Sequence, residues 1–159
     1  MSSETIPKLE ISVKEDGHIG EDGEPVWTSV WVEPEILKMS NTISNLIQDI
    51  DTSDAIPLDG IDKKTLEKIV EYCHLTKTNE NSLWKKDYFN ISTSELYHLT
   101  MAANFLDISE LLDDATAAVA ETFKGKTPEQ IRESWHIPDD LSEDEKEQIR
   151  RENEFFLDL

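Results

Sequence analysis

The sequence predicts an α+β fold, a small sheet followed by a run of helices, and two features carry that prediction. Leu9, Ile11 and Val13 alternate with Lys8, Glu10, Ser12 and Lys14, the period of two that sets one strand face on a core and the other in water. In the C-terminal half, Ser92/Glu95, Asp107/Glu110, Thr127/Gln130 and Ser142/Glu145 each place a capping side chain three residues before Glu or Gln, the reciprocal box that opens a helix.

The elements follow in order. After the first strand, two Asp-Gly turn signals lie between Glu15 and Pro25, and the β-branched and aromatic run Val26 to Val32 then predicts a hairpin with a long connection. Pro34 suits the first turn of a short helix, Glu35 to Met39. Ile43, Leu46, Ile47 and Ile50 lie on one face of a helix from Asn41 to Ile50. Ile56 and Leu58 form a brief strand ending at Gly60, and Asp62 caps a helix whose face carries Leu66, Ile69, Val70 and Cys73. That helix ends near Lys77, before a polar loop from Thr78 to Ser82. The boxes then open helices over Leu96 to Leu106 and Ile108 to Lys124, the second closed by Gly125, and two more follow, the first with Pro128 at its first position.

Composition narrows the function. At 159 residues the chain holds one main core, and 15 Lys plus Arg against 35 Asp plus Glu give a formal charge of -20. Such a field repels phosphate backbones and anionic headgroups, so neither nucleic acid nor membrane is expected as a partner. No apolar run approaches the ~18 residues of a membrane span, and Met1 to Glu10 lacks a signal-peptide pattern, so a cytoplasmic and nuclear location is expected. The single cysteine, Cys73, reads as a buried structural thiol in a reducing compartment.

Searching for chemistry returns little. There is no Gly-rich phosphate loop, no Gly-x-Ser-x-Gly elbow and no His-Glu-x-x-His helix, and the four histidines are scattered. Asp49, Asp51 and Asp54 approach a calcium loop but lack its glycine and its closing glutamate, which makes them a solvated turn. No catalytic residue, cofactor or metal is therefore expected, and an enzyme ranks as a third reading with no residue to nominate.

The apolar surplus is more informative. Leu96, Leu99, Ala103 and Leu106 make one stripe of their helix, while Tyr97, Met101 and Phe105 make another, so that helix needs neighbours on two sides. The next helix adds Ala117, Ala118 and Ala120 to a stripe of Ile108, Leu111, Leu112, Ala115, Val119 and Phe123. Small side chains there let another backbone approach. Beyond residue 125, Ile131, Trp135, Ile137, Leu141, Ile149 and the Phe155, Phe156, Leu157 end stand among charged neighbours, too few for a core. Aromatic anchors of this kind supply most of the energy of interfaces, so the tail reads as a clasp that orders on a partner, the alternatives being that it folds back on the chain's own helices or stays disordered.

Three segments carry a resemblance. Ala102 to Ile108 (Ala-Ala-Asn-Phe-Leu-Asp-Ile), Lys124 to Arg132 (Lys-Gly-Lys-Thr-Pro-Glu-Gln-Ile-Arg) and Ile149 to Asn153 (Ile-Arg-Arg-Glu-Asn) resemble the signatures of the S-phase kinase-associated protein family, adaptors of SCF ubiquitin ligases. The likeness is strongest from Leu83 to Asn153, and Asp62 to Cys73 is similar in pattern to that family's BTB/POZ region. The resemblance implies a BTB/POZ domain with a three-stranded sheet over residues 1–124 and a two-helix extension over 125–159. It also implies one surface for a cullin N-terminal domain, at Asn104 and Phe105, and another for an F-box protein. The F-box set is Tyr97, Leu112, Val119, Phe123, Ile131, Trp135, Ile137, Ile149 and Phe155.

Phe105 stands where family members usually carry Tyr and Phe155 where they usually carry Trp, while the loop from Thr76 to Leu83 is short and the connection around Gly20 long. These departures are those of a divergent paralogue. The implied function is bridging a cullin to F-box substrate receptors in a cullin-RING ligase, without bond making. The alternative is a self-associating BTB-type module, a homodimer when free of F-box, that does not bind cullin.

Overall fold

The computed structural model describes residues 9–49, 55–79 and 81–157. Its chain divides into two compact units, Met1–Lys124 and Gly125–Leu159.

The first unit is built on a three-stranded sheet of β1 (Leu9–Ile19), β2 (Pro25–Val32) and β3 (Ile56–Asp62) in the order β2-β1-β3. β1 and β2 are antiparallel, with Leu9 opposite Val32, Ile11 opposite Val30 and Val13 opposite Thr28. β3 lies parallel to β1, pairing Ile56 with Ile11 and Leu58 with Val13. The alternation at Leu9, Ile11 and Val13 is borne out, since all three side chains are buried. The hairpin connection is shorter than expected because β1 continues through the first Asp-Gly as far as Ile19, with a register shift between Lys14 and Ile19. Only the second Asp-Gly turns the chain. Gly23 takes φ +84° there, a conformation that favours glycine, and the Gly20 amide donates to the Glu24 carbonyl at 2.7 Å. β3 likewise runs past Gly60, which absorbs a register shift at φ +100°, to Asp62.

Helices cover one face of the sheet. α1 (Pro34–Leu37) has proline at its start, as expected, and α2 (Asn41–Asp49) buries Ile43. Ile50 and the Asp51 and Asp54 of the dismissed calcium loop lie outside the described residues, as does the Asp49 side chain. Asp62 caps α3 (Lys63–Thr78) by accepting from the Thr65 amide at 2.7 Å. The buried face of α3 is Leu66, Ile69, Tyr72 and Cys73, with Val70 only half-buried, so the stripe is rotated toward Tyr72.

The sequence reading missed α4 (Leu83–Tyr88). Ser82 makes no side-chain cap for it, and six residues give no periodic signal. Tertiary contact holds it instead: the Tyr72 ring lies 5.4 Å from Trp84 and 5.6 Å from Tyr88, and Trp84 and Tyr88 meet edge to face at 5.7 Å. α5 (Thr93–Phe105) and α6 (Ser109–Phe123) complete the unit. Leu66, Ile69, Leu99, Ala103, Leu106, Ile108 and Leu111 join the strand side chains in one core. Each fully buried Leu or Ile contributes about 1.5–3 kcal/mol.

Ser40 is a small polar side chain fully sealed from solvent. Its hydroxyl donates to the Leu106 carbonyl at 2.6 Å and accepts from the Ile43 amide at 3.1 Å, capping α2 and tying it to the end of α5. Ser40→Ala removes the cap from the Ile43 amide and leaves the Leu106 carbonyl only its 3.4 Å bond from the Thr42 amide, and urea denaturation is expected to show a loss of about 1–3 kcal/mol. Burial pushes the Cys73 thiol up to about 11. A disulfide reagent at pH 8 is therefore expected to leave Cys73 unreacted in the folded protein and to titrate one thiol per chain in denaturant.

Candidate functional site

The surface-bearing helix is α5. Its start is fixed by the predicted capping box: the Ser92 hydroxyl accepts from the Glu95 amide at 3.2 Å, and the Glu95 carboxylate accepts from the Ser92 amide at 3.1 Å. Hydrogen bonds from Lys64 and then from Ser92 pull the Glu95 carboxyl down to about 2, so the box stays closed at neutral pH. The two stripes separate as expected. Leu96, Leu99, Ala103 and Leu106 are buried, whereas Tyr97, Met101 and Phe105 are each 52% exposed. Asn104 is exposed as well.

The far end of α5 is locked to α2. The Phe105 carbonyl accepts from the Thr42 hydroxyl at 3.1 Å, beside the Ser40 bond to Leu106. Asp107 then takes the left-handed conformation at φ +50°, and its carboxylate accepts from the Asn41 side chain at 2.9 Å. This corrects the expected Asp107/Glu110 capping box. Ile108 occupies the N-cap of α6 with no side-chain cap bond, because Asp107 is engaged by α2 and Glu110 by Lys85 at 3.1 Å. Asn104 and Phe105 therefore stand on a corner braced from below by α2.

Tyr97 is placed with Phe105 on the exposed side of α5, near Gly60 to Asp62, rather than at the core-facing stripe. Eight residues of helix separate the two rings along the axis by roughly 12 Å. On α6, Leu111 and Ala115 are buried, and beyond Ala115 nothing is. Leu112 and Val119 are half-buried and Phe123 is exposed. Here an open groove of about 720 Å³ runs between α4 and α6, lined by Lys85, Phe89, Ile91, Asp114, Ala117 and Ala118. The small side chains foreseen at 117 and 118 form its floor. Lys85 and Asp114 on its lining belong to a polar brace that sequence reasoning did not find: Lys85 pairs with Asp114 at 2.5 Å, and Asp114 accepts from the hydroxyl of the buried Tyr72 at 2.5 Å. Burial, and then the bond to Asp114, raise the Tyr72 phenol above its ordinary range. The i, i+4 aromatics Trp84 and Tyr88 were the available hint.

The second unit holds α7 (Pro128–Trp135) and α8 (Glu143–Leu157). Both predicted boxes are present. The Thr127 amide donates to Gln130 at 2.9 Å, and the Ser142 amide donates to Glu145 at 2.8 Å. His136 ends α7 in the left-handed region at φ +52°, and Lys146 ties α8 back to Asp139 at 2.7 Å. The foreseen Glu147–Arg151 pair forms at 3.3 Å. Ile131, Trp135 and Leu141 are half-buried, Ile137 and Ile149 are exposed, and no described side chain of this unit is buried. α8 carries Phe155, whose side chain lies outside the described residues.

Across the described residues no cluster of three or more His, Cys, Asp or Glu side chains could hold a metal ion, and no helix is long and apolar enough to cross a membrane. What the surface offers is apolar side chains on braced helices, the equipment of a protein-binding module. Comparison with known proteins agrees with that class. Residues 28–78 match the Skp1 family tetramerisation domain and residues 109–155 the Skp1 family dimerisation domain. A Dictyostelium discoideum protein named SCF ubiquitin ligase complex protein SKP1b is 40% identical over 143 residues, covering 80% of this chain and 88% of the relative. The S-phase kinase-associated protein 1 homolog of Tetrahymena thermophila is 38% identical over 141 residues, 78% of this chain and 85% of its own. The E3 ubiquitin ligase complex SCF subunit sconC of Arthroderma otae is 32% identical over 146 residues, 81% and 88%. The chain belongs to the Skp1 family, and its fold is the α+β BTB/POZ arrangement followed by two helices.

Since the Phe105 ring is half in solvent and Leu106 is sealed in the core, the two adjacent residues should answer truncation differently. Phe105→Ala is expected to change unfolding free energy by less than about 1 kcal/mol, and Leu106→Ala to lower it by about 2–5 kcal/mol, both read from denaturant titrations.

Proposed function

We propose that this chain is the adaptor of an SCF-type E3 ubiquitin ligase, holding an F-box substrate receptor on one surface and a cullin N-terminal domain on another. The observation that carries the reading is the exposed apolar row on α5, large side chains kept in water by a helix whose other face is fully used. The relatives' names as SCF subunits support it.

In this reading Asn104 and Phe105 meet the cullin at the braced corner after α5. Tyr97, Leu112, Val119 and Phe123 of the first unit, with Ile131, Trp135, Ile137, Ile149 and Phe155 of the second, meet the F-box. The adaptor itself makes and breaks no bond and needs no cofactor. Its contribution is proximity: the substrate receptor is kept at a fixed distance from the ubiquitin-loading machinery, which raises the effective concentration of the reacting groups. A rigid α5 suits that task, because slack between the two partners would dilute the effect. The cytosol and nucleus are the compartments proposed, on the acidic composition and the lone buried thiol.

Calorimetry with a cullin N-terminal fragment and an F-box peptide tests the assignment. Phe105→Ala is expected to weaken cullin binding by roughly tenfold or more while sparing the F-box. Ile137→Ala together with Ile149→Ala should do the reverse. Retention of neither partner by the unaltered chain would remove the proposal.

A further inference from the structure

The outer face of the sheet holds an apolar feature that neither proposed binding set uses. Trp27 and Trp31 on β2 are 43% and 57% exposed, and with Ser29 between them they form one row on the water side of the strand. Two neighbours on β1 steady that row. The Ser29 hydroxyl donates to Glu10 at 2.5 Å, and the Lys14 ammonium sits 5.6 Å from the Trp27 ring centre while pairing with Asp59 of β3 at 2.5 Å.

β2 is also an edge. The sheet order is β2-β1-β3, and among the described residues β2 pairs with β1 alone. The burial pattern agrees: Ile11 and Val13 of β1 are sealed, whereas their β2 partners Val30 and Thr28 are only partly covered. Edge strands are usually guarded by charge. This one has none between Pro25 and Val32, in a chain where 31% of residues are charged.

The order of residues along that edge selects its occupant. Val26-Trp27-Thr28-Ser29-Val30-Trp31-Val32 is close to a palindrome about Ser29, with β-branched side chains at 26, 28, 30 and 32 and tryptophan at 27 and 31. We infer that β2 docks antiparallel on β2 of a second copy, with the two-fold axis at Ser29. In that register each Trp27 faces the other copy's Trp31, Thr28 faces Val30, and Val26 faces Val32. The two tryptophans of one strand lie roughly 13 Å apart, so the dimer gains two separate aromatic pairs on its outer face. The contact is isologous and closes after two copies. A strand-to-strand contact of this length is small, so the dimer is weak and concentration-dependent. Each copy also brings a formal charge of -20, so added salt tightens the pair by screening their mutual repulsion.

The axis provides a specific test, because Ser29 of one copy meets Ser29 of the other. Sedimentation equilibrium of the full chain is expected to give a reversible dimer, tighter in 0.5 M than in 0.05 M salt. Ser29→Lys sets like charges opposite each other, and this chain should sediment as a monomer, as should Ser29→Glu. An equimolar mixture of the two variants should recover the dimer as a heterodimer. Trp27→Gln with Trp31→Gln should weaken the wild-type dimer by tenfold or more, with thermal melts confirming that each variant is folded. The inference is overturned if the unaltered chain stays monomeric up to about 500 µM, the range in which so small an interface forms. It is equally overturned if its dimer is indifferent to Ser29→Lys, or if the mixed variants stay apart.

Discussion

The hydroxyl of Ser40 is a small group on which the working end of the molecule depends. It lies where a polar atom would be costly unless paired, and it is paired twice, to the last turn of α5 and to the first turn of α2. Around it the Asn41 side chain reaches Asp107, and the Thr42 hydroxyl and amide reach the carbonyls of Phe105 and Leu106. Hydrogen bonds from three consecutive residues at one helix start thus fix the turn between α5 and α6. That turn decides where Asn104 and Phe105 stand, and it forces Asp107 into a conformation that a regular capping box would forbid.

Much of the fold could be read from residues because the signals were local. The alternation of β1, the Asp62 cap, and the boxes at Ser92, Thr127 and Ser142 depend on atoms within three residues of one another, and all are present. What escaped the reading was decided by long-range contact. The Asp107/Glu110 pair has the right spacing for a box, yet Asn41, 66 positions earlier, and Lys85, 25 positions earlier, take its two carboxylates. α4 has no cap to announce it and exists because Tyr72 offers an aromatic surface. The inward and outward stripes of α5 were legible, since a period of 3.6 separates them without reference to any other element. Their roles were not, because Tyr97 and Phe105 share one exposed ridge while resemblance alone divides them between two partners. The groove between α4 and α6 was half legible, its alanine floor visible in the sequence and the Lys85–Asp114 pair on its lining, bonded to the buried Tyr72, invisible.

The first unit spends its apolar residues in two ways. Aliphatic side chains of the sheet, α3 and the inner row of α5 are sealed and set the stability, while Tyr97, Met101, Phe105 and Phe123 remain in contact with water. Exposed rings lower solubility, and the surrounding acidic surface offsets this by keeping copies apart. Where the strand Pro25–Val32 lacks such charge, the balance is set by its own side chains.

The second unit is held differently, and its construction has a thermodynamic signature. α7 and α8 are stabilised by caps and by ion pairs such as Lys146–Asp139, and none of their described side chains is sealed from solvent. Isolated short helices of this kind sit at the low end of local stability. A partner that covers Ile131, Ile137 and Ile149 thereby completes the hydrophobic burial that the unit's own chain leaves unfinished. On the proposed assignment of this end to the F-box, association there is expected to carry a large negative change in heat capacity and slowed amide exchange along both helices. On the same assignment, any part of the gross binding energy given up to ordering would shorten the residence of one receptor and leave the site free to take the next.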